Sequence, residues 1–139
     1  MDMKGKTAAA LEWAKTWPEL DGFLKLNAIL AQDGEASFNT AYSTDVIKSY
    51  IDGTARRQYI FMLKMMLPWS DGYDPVNVDA NALIEKWRDW VDLQFPNNVP
   101  DWNCEIESIE SMYDVPAITV YADDSLAEYN FQARIIYEE

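Results

Sequence analysis

From Leu126 onward the chain alternates without interruption. Tyr129, Phe131, Ala133, Ile135 and Tyr137 fall on one face, and Asn130, Gln132, Arg134 and Glu138 on the other. Side chains on a strand change face at every residue, so a period of two over this length specifies a strand with one buried and one wetter side. A helix would scatter the same five apolar residues around its circumference. A second stretch, Arg56 to Leu67, behaves alike. Tyr59, Phe61, Leu63 and Met65 share one face, and Gln58, Ile60, Met62 and Lys64 share the other. Both faces of this strand are largely apolar. That implies either a strand sandwiched between layers or one whose outer face meets another subunit.

Long strands of this kind need a sheet, and a sheet needs cover for its apolar side. Two stretches can supply it. Ala10, Trp13, Ala14 and Trp17 recur at helical spacing within residues 7–17, where Pro18 stops the run. Asp79 can N-cap a helix over residues 80–94, with Leu83, Ile84, Trp87, Trp90 and Val91 as its apolar stripe. Asn77 and Asp79 read as capping residues. Shorter strands are expected within residues 20–30, at 36–42 after the Asp33-Gly34 hairpin signal, at 46–51, at 105–112 and at 117–121. Asp52-Gly53 suits a hairpin between 46–51 and 56–67. Residues 68–78 and the Pro96–Pro100 stretch read as loops. The pattern predicts one α+β domain over residues 1–139: a single, mainly antiparallel but mixed sheet with helices packed on it. Strands 46–51, 56–67 and 126–137 should share that sheet, with the 80–94 helix packed through Trp87 and Val91.

Composition narrows the chemistry. The chain has no His, which removes imidazole acid–base catalysis, the usual nucleophile–His arrangements and His-ligated zinc. The lone Cys104 can form neither an intrachain disulfide nor a CxxC pair, and no neighbour in sequence would activate it. Glu105 and Glu107 stand two apart on an expected strand, the spacing of two carboxylates side by side, but 24 acidic residues make such pairs common. Residues 77–81 echo the first ligands of an EF-hand loop, yet Ala82 stands where Gly is required and Arg88 where the bidentate Glu belongs. Phosphate-loop, dinucleotide, nucleophile-elbow and metalloprotease motifs are missing. No catalytic residue, cofactor site or metal site is therefore expected. A net charge of −13 opposes nucleic-acid binding. The longest strongly apolar run, Ile60 to Leu63, is far too short to span a membrane, and the N-terminal residues lack the apolar core of a secretory signal.

What remains points to surfaces. Aromatic residues make up 14% of the chain, a load suited to core and interface alike. Trp13, Trp17, Trp87 and Trp90 are expected in the core, whereas Trp69, Tyr73 and Trp102 fall in loops. Trp69 and Tyr73 are candidates for an interface. Charge is unevenly placed. Residues 101–139 hold ten acids and one base, and residues 46–69 hold Lys48, Arg56, Arg57 and Lys64 against Asp52 alone. The basic island could meet Glu105, Glu107, Asp123 or Asp124 of a neighbouring subunit. Alternatively Arg57 pairs with Asp52 across its own hairpin.

Two segments carry a resemblance. Val46-Ile47-Lys48-Ser49-Tyr50-Ile51-Asp52-Gly53 followed by Arg57-Gln58-Tyr59-Ile60-Phe61, and the closing Tyr129-Asn130-Phe131-Gln132-Ala133-Arg134-Ile135-Ile136-Tyr137, resemble a family of small minor capsid or minor tail proteins. These belong to siphophages and prophages of Gram-positive bacteria. The order of elements is similar as well. The resemblance implies an α+β tail-terminator-like subunit forming a ring, a hexamer, at the head-proximal end of the tail tube. Its partners would be copies of itself, the tail tube protein and the head–tail connector, in a virion tail assembled in the bacterial cytoplasm. Two other readings stay open: another connector or tube component, and a cellular small-molecule-binding module with an aromatic-lined pocket.

Overall fold

The computed structural model describes residues 3–20, 24–41, 45–70, 75–113, 115–120 and 125–139. At its centre two long strands, β4 (Ala55–Pro68) and β7 (Leu126–Glu138), run antiparallel in unbroken register from Arg56 opposite Glu138 to Pro68 opposite Leu126. The alternation read from each strand sets this register. Pairing Phe61 with Ala133 and Leu63 with Phe131 puts both apolar sets on one side, and a slip of one residue would turn the polar set of one strand, with Lys64 or with Arg134, into the core.

Each side of this ribbon carries one interrupted strand. Along β4, β2 (Ala36–Thr40) pairs antiparallel with residues 61–65, and β3 (Val46–Ser49) pairs antiparallel with residues 55–57. Between the two, Ala41 N–H donates to Ile60 O (3.2 Å) and Gln58 N–H donates to Asp45 O (2.7 Å). Along β7, β5 (Glu105–Ser111) and β6 (Ala117–Val120) repeat the arrangement, with Met112 N–H donating to Gln132 O at 3.0 Å between them. The outermost strand, β1 (Leu24–Leu26), adds to β2, so the sheet has seven strands and runs β1-β2-β4-β7-β5 along its main path. The expected strands share one sheet, and the β3–β4 hairpin turns at Gly53 with φ 92°. One expectation is corrected. The Asp33-Gly34 turn does not make β1 and β2 a hairpin, because they pair in parallel: Leu24 lies opposite Ala36 and Leu26 opposite Phe38. Asn27, in the left-handed region at φ 50°, ends β1, and its side chain accepts a hydrogen bond from Thr40 N–H at 2.8 Å. The chain therefore loops before entering β2 instead of reversing tightly.

Two helices, α1 (Met3–Ala14) and α2 (Pro75–Gln94), cover one face. α2 starts five residues earlier than its apolar stripe suggests. Pro75 occupies the first helical position, where a missing N–H costs nothing. Asp79 is consequently inside the helix and not its N-cap. Asn77 does not cap either: its side chain accepts from Ser70 N–H (2.9 Å) and donates to Ser70 O (2.6 Å), tying the loop to the helix. Ala80, Ile84, Trp87 and Val91 are the buried stripe. α1 ends at Ala14, and Trp17 enters the core from the following turn.

The core is aromatic. Trp87 is fully buried and meets Trp13, Trp17, Phe61 and Trp90 with ring centroids 5.3–6.4 Å apart. Trp102, placed in a loop by sequence, is also buried against Tyr59 and Tyr137, and its indole N–H donates to Lys6 O at 3.0 Å. Lys6 itself is buried. Its ammonium pairs with Glu139 at 2.7 Å and lies over the Tyr137 ring.

Candidate functional site

Neither of the described helices packs against the second face of the sheet. The register places Arg56, Gln58, Ile60, Met62 and Lys64 of β4 on it, beside Glu138, Ile136, Arg134, Gln132 and Asn130 of β7. Among the described residues the doubly apolar strand therefore has a helix layer on one side only. Ile60 and Met62 are half-buried. Met66 and Ile136, on the same face toward its two ends, are buried, and the polar side chains between them are largely satisfied within the chain. Arg134 donates to Glu110 at 2.7 Å and to Gln58 at 3.2 Å. At one end the chain after β1 crosses over: Ala28 N–H donates to Ser37 Oγ (3.0 Å) and Leu30 is buried outside the main core. The opposite end is acidic. Glu105 lies directly across from Glu138, and the Tyr50 hydroxyl is pushed up by loss of solvent first and by the Glu138 carboxylate second.

The four basic residues of the sequence island do not form one patch. Lys48, Arg56 and Lys64 lie on the bare face, but Arg57 points to the helix side, one residue out of phase. Arg56 and Lys64 are eight residues apart on one strand, about 26 Å. Both arginines are matched within the chain. Arg56 Nε donates to Glu107 at 2.8 Å, and Arg57 pairs with Asp45 at 2.8 Å. The expected Arg57–Asp52 pair is replaced because Asp52 accepts from Thr54 N–H and Oγ1 to close the hairpin. Glu105 and Glu107 are separated functionally by a bulge between Ile106 and Ser108, which turns Glu107 toward Arg56. Lys64 and Lys48 make no ion pair among the described residues; the Lys48 ammonium sits 5.7 Å from the Tyr50 ring centre. Trp69 is half-buried against the core, and its N–H donates to Ser125 O at 3.1 Å. Tyr73, Asp123 and Asp124 lie outside the described residues.

Sequence reasoning placed both short strands, within 46–51 and 117–121, but not their position at the margins of the sheet. All four residues of β3 and all four of β6 are exposed, among them Val46, Ile47, Ile118 and Val120. The signal was present as β-branched residues in short strands, but only the topology reveals which strands lie outermost.

Depressions lined by described residues open on the surface. One of about 240 Å³ is lined by Tyr113, Val115, Pro116, Ala117, Asn130 and Gln132 on the bare face. Another, of about 540 Å³, runs beside α1 along Gly5, Ala8, Ala9 and Glu12. Among the described residues no three Asp, Glu or Cys side chains gather as a metal site would need. Burial pushes the Cys104 thiol up, which keeps it protonated near neutral pH. No described helix is long and apolar enough to cross a membrane. The chain matches no protein-family model, and no curated protein matches it significantly.

Proposed function

We propose that this chain is a structural subunit of a phage-type tail, acting as a tail terminator. In this role copies form a ring, a hexamer, at the head-proximal end of the tail tube. The ring stops tube growth and presents a surface to the head connector. The resemblance of residues 46–61 and 129–137 to small minor tail proteins motivates the reading. The observation that carries it is the sheet face without a helix, where half-buried Ile60 and Met62 lie beside Lys64, which makes no ion pair among the described residues. A monomer with one apolar-centred face and unmatched charge gains by covering it with protein. A heterologous contact that closes on itself makes a ring.

The test has two parts. Sedimentation of the purified protein should show a closed oligomer of defined mass. Added to polymerising tail tube protein, it should bind tube ends and hold tube length constant. A protein that remains monomeric and leaves tube length unchanged would overturn the reading.

A further inference from the structure

We infer that copies of this chain join head to tail by strand pairing, the free edge of β3 on one copy adding to the free edge of β6 on the next. The inference rests on the self-assembling role proposed above and specifies its contact. β3 pairs only with β4 and β6 only with β7, so each has one unpaired edge among the described residues. The other margins are less available. β1 is three residues long and is ended by Asn27. β5 is closed at Ser111, whose N–H and Oγ bind the Asp92 carboxylate of α2 at 2.8 and 3.0 Å.

The two free edges lie on opposite sides of the β4–β7 ribbon and at opposite ends of it. β3 faces residues 55–57 of β4, whereas β6 faces residues 127–130 of β7, which oppose Lys64 to Leu67. One copy therefore offers one edge of each kind in opposite directions, the condition for head-to-tail assembly. Strand polarity agrees. β3 is antiparallel to β4, β4 to β7, and β6 to β7, so β3 and β6 run opposite ways. A neighbour placed edge-on with the same face outward brings β6 and β3 together as an antiparallel ladder.

Side chains match on both faces. On the helix side, Val46 of the incoming strand meets Ile118 and Val120, all exposed in the single chain. On the bare face Lys48 arrives beside Thr119, and one strand further lies Glu128, the cross-strand partner of Thr119. Two strand spacings are about 10 Å, a distance that a Lys and a Glu side chain span together. Neither Lys48 nor Glu128 makes an ion pair among the described residues. The bulge at Ile47 and the charge of Lys48 also act as a filter, since an edge lysine discourages pairing with any strand that lacks a carboxylate.

A charge swap tests this. Lys48→Glu and Glu128→Lys should each fold like the parent by circular dichroism and thermal melting, and each should associate at least tenfold more weakly in sedimentation. Mixed in equal amounts they should assemble again, because every contact then joins opposite charges. Amides of β3 and β6 should gain hydrogen-exchange protection on assembly, and those of β1 should not. If the parent assembles but the single variants match it, or the mixture stays dissociated, the β3–β6 contact is wrong while self-assembly stands. A parent chain that is monomeric at all concentrations overturns both.

Discussion

Lys6 is buried, with its ammonium against Tyr137 and Trp102 and paired with Glu139. Removing the carboxylate takes a partner from a charge held away from water, whereas Glu139 keeps access to solvent, its side chain being 35% exposed. Glu139→Gln should therefore cost about 3 kcal/mol in urea denaturation, and Lys6→Met less, because the methionine keeps the packed stem. Two other residues tie stability to pH at its acid and alkaline ends. Glu35 is held at about 2, chiefly by the hydrogen bond from Lys25 and then by Ala31 and Gln32 N–H. Its depressed value stabilises the fold above the ordinary carboxylate range, and that contribution disappears as pH falls from about 4.5 to about 2. Glu35→Gln should flatten this acid limb in denaturation midpoints followed across the window. Tyr137 is displaced the other way, to about 12, by burial first and by Asp45 and Glu139 after it. Below about pH 10 both states keep the proton; above it the unfolded chain ionises first, so stability falls until about pH 12. Tyr137→Phe should delay that loss, and absorbance titration of the phenolates reports it directly.

At the scale of elements, α2 is fastened to the sheet by one side chain more than any other. Trp87→Ala should cost about 3–5 kcal/mol, since four rings lose a common neighbour and the site cannot collapse around the hole. Its stripe was legible in the sequence, as were β4 and β7, because a period of 3.6 or 2 maintained over many turns or pleats leaves little choice. The start of α2 was not. Its first turn carries no apolar residue that must be buried, so only proline's preference for the first position marks it. The parallel pairing of β1 was equally hidden: three residues are too few to show a direction, and Asp33-Gly34 turns the chain whichever way the strands run. The fate of the arginines was the largest gap. Charge counts see Arg56 and Arg57 as neighbours, but alternation sends them to opposite faces, where Glu107 and Asp45 come from distant positions. Reversing both charges should therefore weaken the fold by about 1–2 kcal/mol as well as altering assembly. Thermal melts of the monomer separate the two effects.

For the whole molecule the dominant electrostatic fact is the charge of −13. Ion pairs such as Arg134–Glu110 lose strength in salt, but they are few beside the unpaired acids, and screening relieves repulsion among those acids. Added salt should therefore raise the melting temperature, and a fall would mean that the paired charges dominate. The order of the strands has a further consequence, for how the protein is made. β7 is the last of the seven in the chain and yet occupies the middle of the sheet, giving β4, β5 and β6 their partner. Until residues 126–138 leave the ribosome, β5 and β6 have nothing to pair with and β4 has one open side. The sheet is thus completed only after nearly all of the residues described above have been synthesised. During that interval a growing chain exposes Phe61, Leu63 and Met65 next to the same unpaired backbone that β7 will later cover, and chaperone binding to nascent chains should peak there.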